Sequence, residues 1–305
     1  LNPTSPIFFI TGPTGVGKTG IAARVAEMCN GEIIGADAFQ IYCGMDILTG
    51  KPSRETLAQI PHHLVDTIPI DRSFDVAQYL ELAERAIAEV TARNKLPLIT
   101  GGTGLYVRAL THVLSELPTA DAGIRLRLEK LSLEELQSEY KRLDPEGARK
   151  IDLKNRRRLV RGIEVCELTG KAFSAYQGQW KKRPGAVSGV FLTRDRDDLY
   201  SRIDRRVLEM MQAGLLDEVR CLPEAGRTAG QAIGLREAQA CLDGRITPDE
   251  CIAQIQRATR RYAKRQLTWF RSEPLFEEIN ISHFSSEEQV AGMISQKATL
   301  FAGES

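Results

Sequence analysis

Eight residues near the N-terminus, Gly12, Pro13, Thr14, Gly15, Val16, Gly17, Lys18 and Thr19, combine three glycines with a lysine and a hydroxyl in the order GPTGVGKT. They fit G-x-x-x-x-G-K-[ST], a pattern whose glycines let the backbone curl until its N–H groups point at one anion. Lys18 would contact the terminal phosphate and the Thr19 hydroxyl would hold Mg²⁺. A helix opening directly after the loop adds its positive end to the field. Such a loop takes a diphosphate or a triphosphate; it does not choose a reaction. Asp37 closes a second apolar stretch, where many nucleotide hydrolases keep a metal-holding carboxylate. The same position suits a cap for a helix starting near Ala38, and the residues alone favour neither. The stretch LPLIT ends in Gly101 rather than an acid. A standard ATPase reading therefore has one carboxylate to use, and a kinase reading lacks a nucleoside pattern.

The loop needs a strand to launch it and a helix to close it. Residues 7–11 (IFFIT) form a short apolar run ahead of the glycines, and helical periodicity runs from Thr19 to Cys29, so the three parts follow in the required order. Residues 32–35 (EIIG), 96–100 (LPLIT) and 187–193 (VSGVFLT) predict three more strands, and Ala77 to Arg93 predicts a helix. Strands alternating with helices imply a parallel sheet covered on both faces. The stretch from Gly44 to Pro69, with glycine, proline and histidine, reads as a surface excursion. From Pro118 to Pro184 strand signals nearly vanish and charged helical periodicity takes over; helical segments resume from Leu199 to Glu224. The predicted fold is α/β: a P-loop NTPase-like parallel sheet core flanked by helices (residues 1–117 and 187–305), interrupted by an all-helical insertion domain at residues 118–186.

The 305 residues are 42% hydrophobic and 27% charged, with a formal net charge of +1, ordinary values for a globular chain. No apolar run approaches the roughly 20 residues that cross a bilayer. The opening LNPTSPIFFITG lacks the basic-then-apolar order of a secretion signal, so a cytoplasmic location is expected. Cys29, Cys43, Cys166, Cys221, Cys241 and Cys251 are scattered without a CxxC pair, as befits reduced thiols rather than a zinc site. No coiled-coil seam is visible, and a monomer is expected. The charge is uneven, however. Residues 148–161 (ARKIDLKNRRRLVR) and 257–271 (RATRRYAKRQLTWFR) are densely basic, and patches rather than totals govern contact with phosphates. Arg157, Arg158 and Arg161 fall near one another on a helix, where Glu164 and Glu167 would be the partners of a merely solvated face. The local surplus of positive charge favours phosphate. Arg202 and Arg206 share a helix face and, beside Asp198 and Asp204, read as surface charge. Phe39, Tyr262, Trp269 and Phe270 read first as packing anchors.

GPTGVGKT, then DAFQIYCGMDILTGKP (37–52), then GGTGLY (101–106) closely resemble the tRNA dimethylallyltransferase family. RRLVRGIEV (157–165), LTGK (168–171), QAIGLRE (231–237) and KRQLTWFR (264–271) extend the resemblance, in order, over nearly the whole chain. It implies that the loop from Gly12 to Thr19 holds the diphosphate of dimethylallyl diphosphate, with Mg²⁺ as cofactor. The acceptor it implies is the exocyclic amine of the adenosine on the 3′ side of the anticodon, presented by the tRNA anticodon stem-loop. Asp37 matches the family's general base, and Lys18, Thr19 and Arg206 match groups that take charge on the departing diphosphate. Thr103 matches a position near the flipped adenosine, and Asp37, Ala38, Phe39 and Gln40 would meet the displaced base. Arg125, Arg157, Arg158, Leu159, Val160 and Arg161 match tRNA contacts, as do Gln231, Ala232, Ile233, Gly234, Leu235 and Arg236. The resemblance thus turns Arg206, and less directly Arg202, from surface charge into phosphate ligands. The chain lacks the C-terminal Cys/His module of eukaryotic members and resembles the bacterial form.

Three rivals remain in view. A nucleotide or small-molecule P-loop kinase would use the loop but leave the tRNA-like segments without a purpose. Prenylation of free adenine nucleotides would use the loop, Asp37 and Thr103 but not the basic insertion. A non-catalytic RNA-binding module would have no use for Lys18, Thr19 and Asp37 together.

Overall fold

The computed structural model describes residues 6–113, 117–176, 182, 187–272 and 275–303. It divides into one unit made of Leu1–Thr111 and Pro184–Ser305 and a second made of His112–Arg183. The expected boundary at 186/187 adjoins residues 183–186, which lie outside the described residues.

In the first unit β1 (Ile7–Thr11) is buried along its whole length. Its side chains alternate between two cores: Ile7 and Phe9 enter one, Phe8 and Ile10 the other. That is the pattern of a strand covered on both faces. The phosphate loop leads to α1 (Lys18–Met28), then β2 (Gly31–Ala36), also buried throughout. Short helices α2 (Asp46–Thr49) and α3 (Arg54–Gln59) precede β3 (His62–His63). Asp75 opens α4 (Val76–Ala92) with a capping box that Gln78 completes, the usual way to satisfy the first free N–H groups. β4 (Leu96–Gly101) and α5 (Gly104–Thr111) follow.

The second unit holds α6 (Ala122–Glu129), α7 (Leu133–Leu143) and α8 (Arg156–Thr169). They close on Leu128, Leu136, Tyr140, Leu159, Val160 and Ile163. No strand lies among its described residues beyond one isolated bridge, His112 to Lys182. Two buried carboxylates brace this small core. Asp144 accepts from Tyr140 Oη (3.1 Å), Gly147 N (2.8 Å), Ser174 N (2.7 Å) and Ser174 Oγ (2.6 Å). Glu164 is fully buried and is answered by Arg125, Arg161 and the Asp121 amide.

The first unit resumes with β5 (Val187–Thr193), α9 (Arg196–Gln212), α10 (Leu215–Cys221), α11 (Leu235–Leu242), α12 (Pro248–Ser272), β6 (Glu277–Asn280) and α13 (Glu287–Gly303). The six strands among the described residues form one parallel sheet in the order β3-β2-β4-β1-β5-β6. The two edge strands are the ones the apolar pattern does not announce. The stretch from Gly44 to Pro69 is mostly exposed or half-buried, as expected, but it is anchored: Met45, Leu48 and Leu64 are buried in the core, and His62 and His63 pair with Ile33 and Ile34. At the far end of β2, burial pushes the Glu32 carboxyl up, but hydrogen bonds from Arg93, His63 and Lys95 outweigh it and hold it down at about 2.

Candidate active site

Parallel strands release their loops at one edge of the sheet, and ligands of such folds gather there. β1 releases the phosphate loop, β2 releases Asp37 and β4 releases Thr103. Gly15 and Gly17 have φ of +82° and +104°, backbone that glycine adopts without steric penalty. A Cβ on Gly15 would also stand 2.7 Å from Ile203. The loop's carbonyls are tethered by cations: Lys18 Nζ donates to Pro13 O (2.8 Å), Arg194 Nε to Val16 O (2.9 Å) and Arg202 Nε to Gly15 O (3.2 Å). Because C=O and N–H of one peptide plane point opposite ways, these tethers also fix where the amides aim. Gly17, the residue before α1, has no side chain to cap the helix, so the first-turn N–H groups are left for an anion.

Lys18, Thr19, Asp37, Arg202 and Arg206 line one cavity of about 830 Å³. Burial pushes the Lys18 ammonium down to about 8, a fall that Asp37 opposes and Arg206 deepens. Burial lowers Arg206 as well, against the attraction of Asp37 and Glu209. Two poorly solvated cations therefore share the carboxylate of Asp37, and an anion entering the cavity relieves both. Arg206 donates to Thr49 O at 3.2 Å, at the carbonyl end of α2. Gln40 Nε2 reaches the same turn, at Thr49 O (3.3 Å) and Gly50 O (3.1 Å). At the other end of α2, Glu218 accepts from the amides of Asp46, Ile47 and Leu48 at 2.7–2.9 Å.

Asp37 caps a turn and not a helix: its Oδ1 accepts from Phe39 N (2.9 Å) and Gln40 N (3.3 Å), and no helix begins at Ala38. Thr103 stitches the β2 and β4 loops together. Its Oγ1 accepts from Ala38 N at 3.0 Å and its amide donates to Ala36 O at 3.1 Å. The phenol of Tyr262 lies beside the Thr103 side chain. Asp37 and Arg206 also line a second, narrower hollow of about 70 Å³, whose apolar wall is Phe39, Ile203, Val207, Met210 and Ile233. Phe39 thus both packs against the core and borders the site, and Tyr262 borders it as well.

Sequence reasoning missed Gln266. It is buried on α12; its Oε1 accepts from Thr14 N (2.9 Å) and its Nε2 donates to Gly102 O (2.8 Å). One amide side chain therefore ties the phosphate loop to the loop that carries Thr103. Its partner Thr14 lies 252 residues away, and no local pattern reveals such a link. Arg194, which tethers Val16, was missed for the same reason.

The segments expected to touch RNA divide by burial. Leu159 and Val160 are inside the core of the second unit, and Ala232 and Leu235 are buried in the first, where Ala232 also borders the narrower hollow. Gly234, also buried, opens α11 with φ of +95°. Arg125 and Arg161 bind buried Glu164 at 2.7 and 2.6 Å, so each has a structural task. Arg157, Arg158 and Arg236 are exposed, and Gln231 and Ile233 are half-buried.

The family model described as IPP transferase matches residues 40–273. The chain is 37% identical to a tRNA dimethylallyltransferase of Akkermansia muciniphila, covering 95% of this chain and 98% of that one. It is 42% identical to another of Bacillus licheniformis over 90% of each. Among solved structures it is similar to the full-length tRNA isopentenylpyrophosphate transferase of Bacillus halodurans, with a TM-score of 0.72 and 35% identity over 99% of this chain and 98% of that one. With a family model spanning most of its length and relatives matched nearly end to end, the chain belongs to the tRNA dimethylallyltransferase, or IPP transferase, family.

Proposed function

We propose that the chain transfers a dimethylallyl group from dimethylallyl diphosphate to the exocyclic amine of the adenosine on the 3′ side of the anticodon in tRNA, releasing diphosphate. The observation that carries this reading is that Asp37 and Arg206 line both the cationic cavity of the phosphate loop and the apolar hollow beside it. A diphosphate bound at the loop would leave its allyl group toward the hollow, next to a carboxylate.

The exocyclic amine is a weak nucleophile because its lone pair is delocalised into the purine. As its nitrogen bonds to the allylic carbon, the carbon–oxygen bond to diphosphate breaks and Asp37 takes the amine's proton. A positioned base of this kind typically contributes about 10²–10⁴ in rate. Lys18, Arg206 and the loop amides receive the charge that gathers on the leaving oxygen, fixed in place before the reaction starts. Mg²⁺ would be held by the Thr19 hydroxyl. Thr19 lines the same cavity as Lys18 and Asp37, which places its hydroxyl where such an ion would meet the diphosphate. Bound there, the ion would neutralise charge on the diphosphate. Exposed Arg157, Arg158 and Arg236 are our choices for the tRNA backbone. No helix among the described residues is long and apolar enough to cross a membrane, and a cytoplasmic monomer working on the anticodon stem-loop is the setting we assign.

The test is transfer of labelled dimethylallyl to unmodified tRNA, with adenosine monophosphate as a second acceptor and ATP hydrolysis followed in parallel. Mg²⁺-dependent label in tRNA alone supports the reading. Label in the free nucleotide moves the chain to nucleotide prenylation, and ATP turnover without prenyl transfer makes it a kinase.

A further inference from the structure

The narrower hollow beside the phosphate loop has an end as well as a mouth. Gly15 and Arg206 line both it and the larger cavity, so the two spaces meet where a diphosphate would sit. From that junction α9 and α12 lead away side by side. On α9, Ile203 stands at the loop: a Cβ on Gly15 would lie 2.7 Å from it. On α12, Gln266 accepts from the amide of Thr14 at 2.9 Å. Asp204 fastens the helices together, its carboxylate accepting from Arg260 at 2.6 Å and its carbonyl from Gln256 at 3.1 Å. The hollow, lined from both helices, is a slot between them.

Its α9 wall is Ile203, Arg206, Val207 and Met210, the spacing of residues that share one helix face. Arg206 marks the diphosphate end, and Met210 lies about 6 Å farther along the axis. Leu48 and Ile255 also line the slot, but both are buried in the core, and a Cβ on Gly234 would stand 3.1 Å from the first and 3.6 Å from the second. Met210 is different: it is half-buried and packs against the core from its edge. Its unbranched thioether is suited to filling an irregular gap. A hollow of about 70 Å³ has room for about five atoms the size of a water molecule. A dimethylallyl group has that many carbons; a geranyl group has twice as many.

We propose that Met210 is the stop that sets donor length, admitting a five-carbon allylic group and excluding the ten-carbon geranyl group. The proposal rests on the reading that the donor's diphosphate lies at the loop with its chain in the hollow. Allylic diphosphates present the same reacting carbon and the same leaving group to Arg206 and Asp37, so a choice between them has to be made at the far end of the chain. A Met210 that only packed α9 would affect stability and leave that choice unmoved.

The experiment is steady-state transfer to unmodified tRNA by the intact chain, in Mg²⁺, from dimethylallyl diphosphate and from geranyl diphosphate. Met210→Ala is expected to raise kcat/KM for geranyl relative to dimethylallyl by about a hundredfold, within the range that misfit in an apolar pocket commands. Because Met210 is half-buried, the lengthened slot opens toward solvent, and the added carbons need no further cavity. Met210→Phe, which shortens the slot, is expected to raise KM for dimethylallyl diphosphate by about tenfold, while inorganic diphosphate titrated by calorimetry binds as in the wild type. Leu208→Ala, at an exposed leucine of the same helix, is expected to leave the donor ratio within about twofold. Equal use of both donors by the wild type overturns the proposal, and so does a ratio unmoved in Met210→Ala or moved as far in Leu208→Ala; dimethylallyl transfer by the wild type in those cases leaves the function standing. Wild-type protein that transfers neither group to tRNA overturns the function first.

Discussion

Replacing Lys18 by methionine is expected to abolish transfer and yet make the empty protein more stable. The ammonium is pushed from 10.5 down to about 8, chiefly by burial. At about 1.4 kcal/mol for each pH unit, keeping it charged in the folded state costs about 3 kcal/mol near neutral pH. Against this stands its hydrogen bond to Pro13 O, worth about 1 kcal/mol. The net gain expected for Lys18→Met is therefore about 2 kcal/mol. The pH dependence fixes the cause. Below pH 8 the lysine is charged in both states and the whole penalty is present. Between about 8 and 10.5 the folded state has released its proton while the unfolded state keeps it, so stability of the wild type rises with pH through that window. Urea unfolding of both proteins at pH 7 and pH 10 should show a gap that narrows sharply at the higher pH. Diphosphate should stabilise the wild type at pH 7 and leave the variant unmoved. A variant no more stable than wild type, or a gap indifferent to pH, would refute the argument that Lys18 is an uncompensated charge awaiting an anion.

Asp37→Asn can keep the turn bonds to Phe39 and Gln40 but loses the base, so single-turnover transfer should fall about 10²–10⁴-fold while tRNA binding by filter retention stays within about threefold. Gln266→Leu strands the buried Gly102 O and frees the half-buried Thr14 N; urea unfolding should register a loss of about 1–3 kcal/mol, and transfer per folded molecule should fall as well. Arg125→Ala leaves Glu164 short of a partner inside the second unit, and a loss of about 3 kcal/mol is expected from denaturation of the whole chain. Neutralising exposed Arg157 and Arg158 should spare stability, weaken tRNA binding and flatten the plot of log affinity against log salt by about one unit per lost phosphate contact; an unchanged slope removes them from the interface.

The inner strands were legible because burial on both faces leaves no polar side: IFFIT, EIIG, LPLIT and VSGVFLT are nearly unbroken apolar runs. The edge strands escaped because an edge needs only one apolar neighbour. β3 is two histidines and β6 reads EEIN, compositions that announce a loop or a helix start. The second unit's helical character was visible in its periodicity, but its buried acids were not. Asp144 and Glu164 look from sequence like surface charge, and only the fold supplies the donors that bring them inside. The same limit governs the site. The phosphate loop is a local pattern and could be read directly, and Asp37 follows from its place after β2. Gln266, Arg194 and Glu218 act through partners well over a hundred residues away, where spacing carries no signal. Leu159, Val160, Ala232 and Leu235 turn their side chains inward, because a segment that resembles a contact surface also has a buried face.

The order of the strands has one more consequence. β2, which releases Asp37, and β1, which releases the phosphate loop, are separated by β4 alone. Neighbouring strands lie about 4.8 Å apart, so these two exits stand roughly 10 Å from each other. Loops can lengthen, and side chains can be exchanged, but a hydrogen-bonded ladder cannot be stretched. The backbone thus works as a ruler between the point where diphosphate is held and the point where a proton is removed. Whatever is prenylated has to be brought to that fixed gauge, and a change of acceptor must be accommodated by the walls around the gap and not by its width.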